Sequence, residues 1–204
     1  MNRLIGLLIL FFTCCRIQAQ HTDIEWLRNI NLHRNTSLDP LMKGVSNTEA
    51  WVGVGLPLGV VTYGLLAKKP KDIEHGFNMT LSLALVSVQT FVLKRAINRP
   101  RPAADYPDIQ AVETERNYSF PSGHTSNAFC TATSLSLNYR KWYIACPAYL
   151  WACSVGYSRM HLGMHYPSDV LAGALLGMGS AWFSYQAQQY IRQKFEKRYQ
   201  HTLP

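Results

Sequence analysis

Long uncharged stretches, separated by short clusters of charged residues, dominate the pattern of hydrophobic and polar positions along this chain. Four of them span residues 51–67, 76–93, 142–158 and 170–191, and each is long enough for a helix that crosses most of a bilayer. A fifth, 125–139, carries Ser, Thr and Asn throughout, which predicts a helix packed among other helices because its hydroxyl groups need partners. Strand-like alternation is absent, so the pattern predicts an all-α helical bundle with about five membrane-crossing or buried helices.

The N-terminus has the pattern of an export signal. Arg3 precedes an uncharged run over residues 4–15, and the small residue Ala19 comes just before the chain turns polar. Twelve apolar residues are too few to span about 30 Å of hydrocarbon comfortably, so we expect a signal peptide cleaved near Ala19 rather than an anchor, which stays open as the alternative. The predicted organisation is a signal peptide (1–19), a polar segment (20–50), a helical bundle (51–192) and a basic tail (193–204).

Charge narrows the class of partner. The chain has 204 residues, and its 20 Lys and Arg against 12 Asp and Glu give a formal net charge of +8. Such an excess favours nucleic acid, an anionic membrane surface or a phosphorylated substrate, and the export signal argues against nucleic acid. A mean hydropathy of −0.08 leaves two settings open, a membrane-embedded bundle and a soluble bundle with buried helices.

Alternate crossing of the five stretches predicts which loops share a face. Basic clusters near residues 68–71, 140–141 and 192–198 would lie together, on the side that the positive-inside bias makes cytoplasmic. The loops 94–124 and 159–169 would share the opposite, exterior face. That face also holds several cations, which therefore need a reason other than topology.

Three clusters with chemical potential lie on this exterior face. Residues 94–102 carry four cations and two prolines, and residues 120–125 place a Gly and His124 at a predicted helix start, where backbone N–H groups can face an anion. In the third cluster, His165 and Asp169 are four residues apart, so one helical turn beginning near Pro167 can bring the carboxylate to the imidazole. Such a contact would fix the tautomer of the ring and leave its other nitrogen free to attack.

In order, the three clusters read Lys-x6-Arg-Pro, Pro-Ser-Gly-His and Ser-Arg-x5-His-x3-Asp, with every position filled. This series resembles the signature of the type 2 phosphatidic acid phosphatase superfamily, which also contains bacterial class A acid phosphatases and vanadium haloperoxidases. The resemblance implies that phosphate oxygens are held by Lys94, Arg101, Ser122, Gly123 and Arg159. It further implies that His165 attacks phosphorus to form a phosphohistidine, that Asp169 orients it, and that His124 protonates the leaving alcohol.

These residues suit phosphoryl transfer, which depends mainly on positioning and electrostatic stabilisation. Three fixed cations and helix-start N–H groups can supply that stabilisation, so we expect neither a metal nor another cofactor. The predicted function is hydrolysis of phosphomonoesters or pyrophosphate, of lipids above all, by a multi-pass bacterial-type inner-membrane protein whose site faces the periplasm or exterior. The alternatives are a soluble periplasmic acid phosphatase of broad specificity, a vanadium haloperoxidase, and a membrane protein that only binds anionic lipid headgroups.

Overall fold

The computed structural model describes residues 21–200, with side chains described for residues 21–194. The predicted signal peptide and the last four residues of the basic tail lie outside the described range. An N-terminal helix, α1 (21–31), precedes a 3-10 turn (Thr36–Leu38). The helices that follow are α2 (Asp39–Leu66), α3 (Pro70–Ile97), α4 (Pro102–Asp105), α5 (Gly123–Tyr139), α6 (Trp142–His161) and α7 (Pro167–Gln200). The described part of the chain contains no strand, and the all-α prediction is confirmed.

Helices α2 and α3 form a tight hairpin, and both begin earlier than the uncharged stretches predicted. Helix α2 begins at Asp39, with Pro40 in its first turn, because a proline there removes an N–H that has no helical acceptor in any case. Helix α3 likewise begins at Pro70. The two helices approach closely at Gly64, where a Cβ atom would lie 2.7 Å from the backbone nitrogen of Ile73. The expected polar segment 20–50 therefore contributes α1 and the first three turns of α2.

Helix α5 is the central element of the bundle, as its hydroxyl-rich sequence predicts. It packs against α3, α6 and α7, and eight of its seventeen residues are buried. Several of its hydroxyls find partners inside the protein, as when Ser126 donates to the carbonyl of Ser122 at 2.8 Å and Thr133 pairs with Tyr149 at 2.8 Å. Gly177 lets α7 approach, because a Cβ there would lie 2.8 Å from the backbone nitrogen of Cys130.

The two ends of the bundle hold different charged clusters. At one end, called the site end, the C-terminus of α3, the 106–122 loop and the α6–α7 connection meet. At the other, called the far end, Tyr139 at the close of α5 donates to Asp72 in the first turn of α3 at 2.9 Å. Arg140 donates there to Tyr185 of α7 at 2.7 Å.

Much of the outer surface is apolar. The stretches Thr36–Leu66 and Pro70–Asp105, which contain α2 and α3, are long and apolar enough to cross a membrane. Large side chains on this surface point outward, including Trp51 at 81 %, Leu66 at 81 % and Trp142 at 80 % exposure. An outer surface of this kind is typical of an interaction with lipid or with another protein.

Candidate active site

The first two sequence clusters meet where α3 ends. Asn98 takes a left-handed conformation (φ 53°) as C-cap, which stops the helix and turns the chain back toward the bundle. Lys94, one turn earlier, donates from Nζ to the backbone carbonyls of Tyr118 and Ser119, just ahead of the second cluster. The Lys94 ammonium is thereby fixed at the mouth of α5.

Arg101 and Arg159, the two arginines of the predicted phosphate site, are joined by Glu115. Arg159 Nη2 donates to Glu115 Oε1 at 2.5 Å, and Arg101 Nη2 donates to Glu115 Oε2. Arg101 also donates from Nη1 to the carbonyl of Met164 at 2.9 Å. The 106–122 loop thus brings cations from α4's start and from α6 to one carboxylate.

Arg159 is buried to an unusual degree for an arginine. Its side chain has no solvent exposure, and Nη1 donates to Ser46 Oγ at 2.8 Å. Its Nε has no hydrogen-bond partner among the described residues. A buried guanidinium with an unsatisfied donor is costly unless an anion completes its shell. Arg159 is thus a buried cation whose donors the described residues satisfy only in part.

His165 and Asp169 make the contact that their spacing predicts. Helix α7 begins at Pro167, and His165 Nδ1 lies 3.5 Å from Asp169 Oδ2. Ser119 bridges the pair, because its Oγ lies 3.3 Å from His165 Nδ1 and donates to Asp169 Oδ2 at 2.5 Å. On the other side of the ring, His165 Nε2 lies 3.4 Å from Arg101 Nη1. Because a guanidinium can only donate, Nε2 faces it with its lone pair and the ring proton belongs on Nδ1.

The first turn of α5 supplies the other predicted site residues. Gly123 and His124 line a cavity of about 230 Å³ together with Lys94 and His165. The first amides of a helix lack helical acceptors and favour a bound anion. Ser122 is buried one residue earlier, with its hydroxyl 2.9 Å from that of Thr125 and its N–H donating to the Asp169 carbonyl at 3.0 Å. Its contacts tie α5 to α7.

Burial and neighbouring charge set the ionisation of this site. Burial, with the charges of Arg101 and Arg159 in the same direction, lowers the pKa of His165 to about 3 against the pull of Asp169, so the imidazole is neutral near pH 7. Burial and the Arg159 charge likewise lower the pKa of His124 to about 4. Burial alone would raise the pKa of Glu115, but Arg101 and Arg159 outweigh it and hold that pKa below its usual range. Both histidines are therefore neutral near pH 7, and the Glu115 carboxylate is ionised between the two arginines.

An apolar groove continues from this cavity. The groove encloses about 550 Å³ between α2 and α3, and Glu49 and Asn127 line both spaces. These two side chains are bonded to each other, Asn127 Nδ2 donating to Glu49 Oε1 at 2.8 Å. A molecule with a phosphate in the cavity could therefore extend an apolar part along α2 and α3, which among the described residues are the helices long and apolar enough to cross a membrane.

Sequence reasoning missed several site residues. Glu115, Ser119 and Glu49 belong to none of the recognised motif positions, and their roles follow from a loop path and a helix register that local patterns do not fix. Asp23 and Arg99 contact each other and the α7 start, and neither is a defining position of the motifs. His161 is buried and its Nε2 lies 2.9 Å from Asp39 Oδ1, which links α6 to the start of α2. Among the described residues, no three His, Cys, Asp or Glu side chains form a metal-binding group.

Comparison with known families decides the relationship. The model of the PAP2 superfamily matches residues 75–193, which include all three motifs. The chain belongs to the PAP2 superfamily. Phosphatidylglycerophosphatase B of Bacillus subtilis is 36 % identical over 156 residues, covering 72 % of this chain and 73 % of that protein.

Two further relatives add context for this PAP2 protein. Lipid A 4'-phosphatase of Bacteroides thetaiotaomicron is 34 % identical over 110 residues, which cover 54 % of this chain. The matched region spans about half, 47 %, of that relative's own length. A transmembrane PAP2-type phosphatidylglycerolphosphate phosphatase from Bacillus subtilis has the same fold, with a TM-score of 0.72, 24 % identity and coverage of 94 % of this chain and 98 % of that one. With the two apolar helices, these relatives indicate a membrane protein.

Proposed function

We propose that this PAP2 protein is a membrane lipid phosphatase that removes a terminal phosphate through a phosphohistidine on His165. The observation that carries the proposal is a cavity lined by Lys94, His124 and His165, whose wall residue Glu115 binds both Arg101 and the fully buried Arg159. Lys94, Arg101 and Arg159 offer the positive charge that phosphoryl transfer needs, so the proposal includes no metal. The names of the relatives, which act on phosphorylated lipids, support the substrate class.

In the first step, His165 Nε2 attacks phosphorus and the bond from phosphorus to the leaving oxygen breaks. His124 gives its proton to that oxygen, so the alcohol or phosphate part leaves neutralised. Asp169 stabilises the positive charge that develops on the His165 ring. In the second step, a water molecule attacks the phosphorus of the phosphohistidine while His124 takes a proton from that water. The bond between His165 Nε2 and phosphorus breaks, and inorganic phosphate leaves.

His124 must be protonated to act as the acid, yet burial and the Arg159 charge lower its pKa to about 4. A bound phosphate dianion adds negative charge beside the ring and raises that pKa toward neutrality. Substrate binding therefore prepares its own proton donor, while Arg101 beside Nε2 keeps His165 neutral.

The apolar groove supports a lipid rather than a small soluble ester as substrate. It adjoins the cavity through Glu49 and Asn127 and lies between the two helices apolar enough to span a membrane. A hydrocarbon chain in this groove gains about 0.8 kcal/mol for each buried methylene group. A lipid with its phosphate at His165 would thus be held at both ends.

The direct test uses the purified protein in detergent with phosphatidylglycerol phosphate, phosphatidic acid, undecaprenyl diphosphate and lipid A. Inorganic phosphate release in the presence of EDTA is expected from at least one of them and is expected to be lost in His165→Ala and His124→Ala. Retained activity in both variants would exclude the mechanism. Lipid binding without phosphate release or a trapped phosphoenzyme would mean that the protein only binds headgroups.

We also propose a multi-pass arrangement with the site end outside the cytoplasm and the far end inside, after export directed by residues 1–19. Glu113 lies in the site-end loop and Arg140 at the far end. In a chain whose own cysteines are replaced by serine, Glu113→Cys should react with an impermeant thiol reagent in intact cells, and Arg140→Cys only after lysis. The reverse labelling pattern would overturn the orientation.

A further inference from the structure

The Asp169 carboxylate is held from three sides besides His165. Ser119 Oγ and the backbone N–H of Tyr166 donate to Oδ2, the latter at 3.0 Å. The third donor is Arg99, whose Nη1 reaches Oδ1 at 2.7 Å. Oδ1 is thereby occupied, and Oδ2 is the oxygen that faces the imidazole. The direction of the carboxylate is consequently set by Arg99 as much as by its own helix.

Arg99 is itself fixed by several partners. Nη1 also donates to Ser168 Oγ at 2.7 Å, and Nη2 donates to Asp23 Oδ2 at 2.7 Å. The guanidinium carbon lies 3.8 Å from the centre of the Tyr166 ring, which favours a stacked cation. The planar guanidinium of Arg99 therefore bridges two carboxylates. A lysine ammonium, which is a point charge, reproduces this bridge poorly.

Asp23 links α1 to Arg99 and to the start of α7. Its Oδ1 accepts the N–H of Ser168, in the first turn of α7, at 2.9 Å, and its side chain is 8 % exposed. A carboxylate there satisfies a helix-start amide and suits the local dipole. Without the Arg99 cation, Asp23 and Asp169 would be two like charges near one another with no ion between them.

Resting on the proposed phosphatase function, we infer that Arg99 is a positioning residue for the His165–Asp169 pair and that Asp23 of α1 anchors it. Arg99 acts through Asp169, whose oriented carboxylate holds the imidazole with its proton on Nδ1 and its lone pair on Nε2. Both terminal nitrogens of Arg99 donate to Ser168, Asp169 and Asp23, on the Nδ1 side of the His165 ring rather than on the Nε2 side that is proposed to attack phosphorus. Its effect should therefore fall on the rate of chemistry and leave phosphate binding alone.

The test compares Arg99→Gln and Arg99→Lys with Arg95→Gln as the matched control. Arg95 is an exposed cation one turn earlier on α3, stacked 4.3 Å from the Phe91 ring. We expect Arg99→Gln to lower kcat by about 10- to 100-fold, as the loss of an outer partner does elsewhere. KM and the inhibition constant of inorganic phosphate should stay within about twofold, since the phosphate ligands are intact. The kcat of Arg99→Lys should lie between that of Arg99→Gln and that of the parent chain, and the kcat of Arg95→Gln should equal that of the parent chain.

Asp23→Asn, which keeps the shape of the side chain, serves as the second variant if Arg99→Gln fails to fold. It should lower kcat in the same direction by a smaller factor, with KM unchanged. A raised KM or phosphate inhibition constant at constant kcat would show Arg99 or Asp23 acting on binding and would overturn the inference. Parent-like kcat in both Arg99→Gln and Asp23→Asn would overturn it as well.

A spectroscopic readout separates this inference from the proposed function. In ¹⁵N-labelled protein without substrate, the His165 ring should carry its proton on Nδ1, and Arg99→Lys should shift the Nδ1 signal while Arg95→Gln does not. Failure of the parent chain to release phosphate from any lipid would reject the function, whereas the tautomer comparison would still decide the positioning role. Unchanged His165 signals in Arg99→Lys and in Asp23→Asn would reject that role whatever the activity.

Discussion

The site end and the far end of the bundle both carry basic clusters, but they surround their cations differently. At the site end, Arg159 has no exposed surface and shares Glu115 with Arg101. At the far end, Lys69 and Arg140 are exposed and each donates to a tyrosine hydroxyl, at 2.8 and 2.7 Å. Removing a cation from water costs several kcal/mol, and an exposed one costs little. The candidate active site is therefore distinguished by the burial of its charges and not by their number.

The largest effect is expected from replacing His165, the proposed nucleophile, at the site end. His165→Asn keeps a similar polar side chain but has no ring nitrogen to attack, so lipid phosphatase activity should fall by at least about 10⁴-fold. His75→Asn is the matched control, because His75 lies in α3 near the far end, 3.7 Å from Asp72. Initial rates of phosphate release measure both variants, and a ³²P-labelled lipid should give an acid-labile phosphoenzyme only where His165 is present. Parent-like turnover in His165→Asn would show that the active site does not lie at the site end.

The next largest loss of activity is expected from replacing the buried Arg159, and it tests whether this residue acts in catalysis or only in stability. Arg159→Gln should lower kcat/KM by about 10²- to 10³-fold, because one donor to the transferring phosphoryl group is lost. Glu115 and Ser46 also lose a partner, so the thermal midpoint should fall, and Arg159→Lys should restore part of the activity by keeping the charge. Enzyme assays with thermal unfolding in detergent measure both effects. A variant that is less stable but fully active would make Arg159 structural only.

The helices and the chemical motifs could be predicted from sequence because both are local. The uncharged stretches gave the helix type, and the four-residue spacing of His165 and Asp169 gave the contact once α7 began at Pro167. The roles of Glu115 and Arg99 could not be predicted in the same way. Each depends on a path between distant elements, the 106–122 loop for Glu115 and the docking of α1 through Asp23 for Arg99.

The helix starts show the same limit. Asp39 and Pro40 lie in the predicted polar segment 20–50, yet they form the first turn of α2. A proline is as compatible with a helix start as with a turn, and only the following contacts decide between them. Pairing of Asp39 with Arg34 at 3.0 Å and with His161 at 2.9 Å, across the fold, fixes this start.

The buried charge at the site end also predicts how stability depends on pH. Because the folded pKa of His165 is lowered to about 3, the folded protein does not take up this proton when the unfolded chain does, below its ordinary value of 6.5. The stability lost through this group is negligible above pH 6.5 and grows as the pH falls below it, to about 2 kcal/mol at pH 5. The thermal midpoint should drop between pH 7 and pH 5, and less steeply in His165→Asn. Parallel pH dependences in the parent chain and in His165→Asn would contradict the lowered pKa.

A smaller effect sharpens the comparison between the cavity and the groove that adjoins it. Ala84 lines the groove on α3, and Ala84→Trp should lower activity on long-chain lipids by about tenfold, since about two methylene groups lose their burial. Activity on p-nitrophenyl phosphate should not change. Leu81→Trp is the control, because Leu81 is 59 % exposed one turn away on the same helix. Equal losses on both substrates would place the hydrocarbon chain elsewhere.

The smallest effect on activity is expected from a substitution at the far end. It tests whether the loss of activity is specific to cations at the site end. Arg140→Gln removes an exposed cation that contacts Tyr185, and surface pairs of this kind contribute about 0–1 kcal/mol. Lipid phosphatase activity should change less than twofold and the thermal midpoint only slightly, in the same assays that show the Arg159→Gln loss. If Arg140→Gln reduced turnover as much as Arg159→Gln, charge would matter wherever it lies, and burial would not distinguish the two ends. If it instead left turnover intact but inverted the thiol labelling of the membrane protein, Arg140 would act on topology, the role that an exposed cluster at this end predicts.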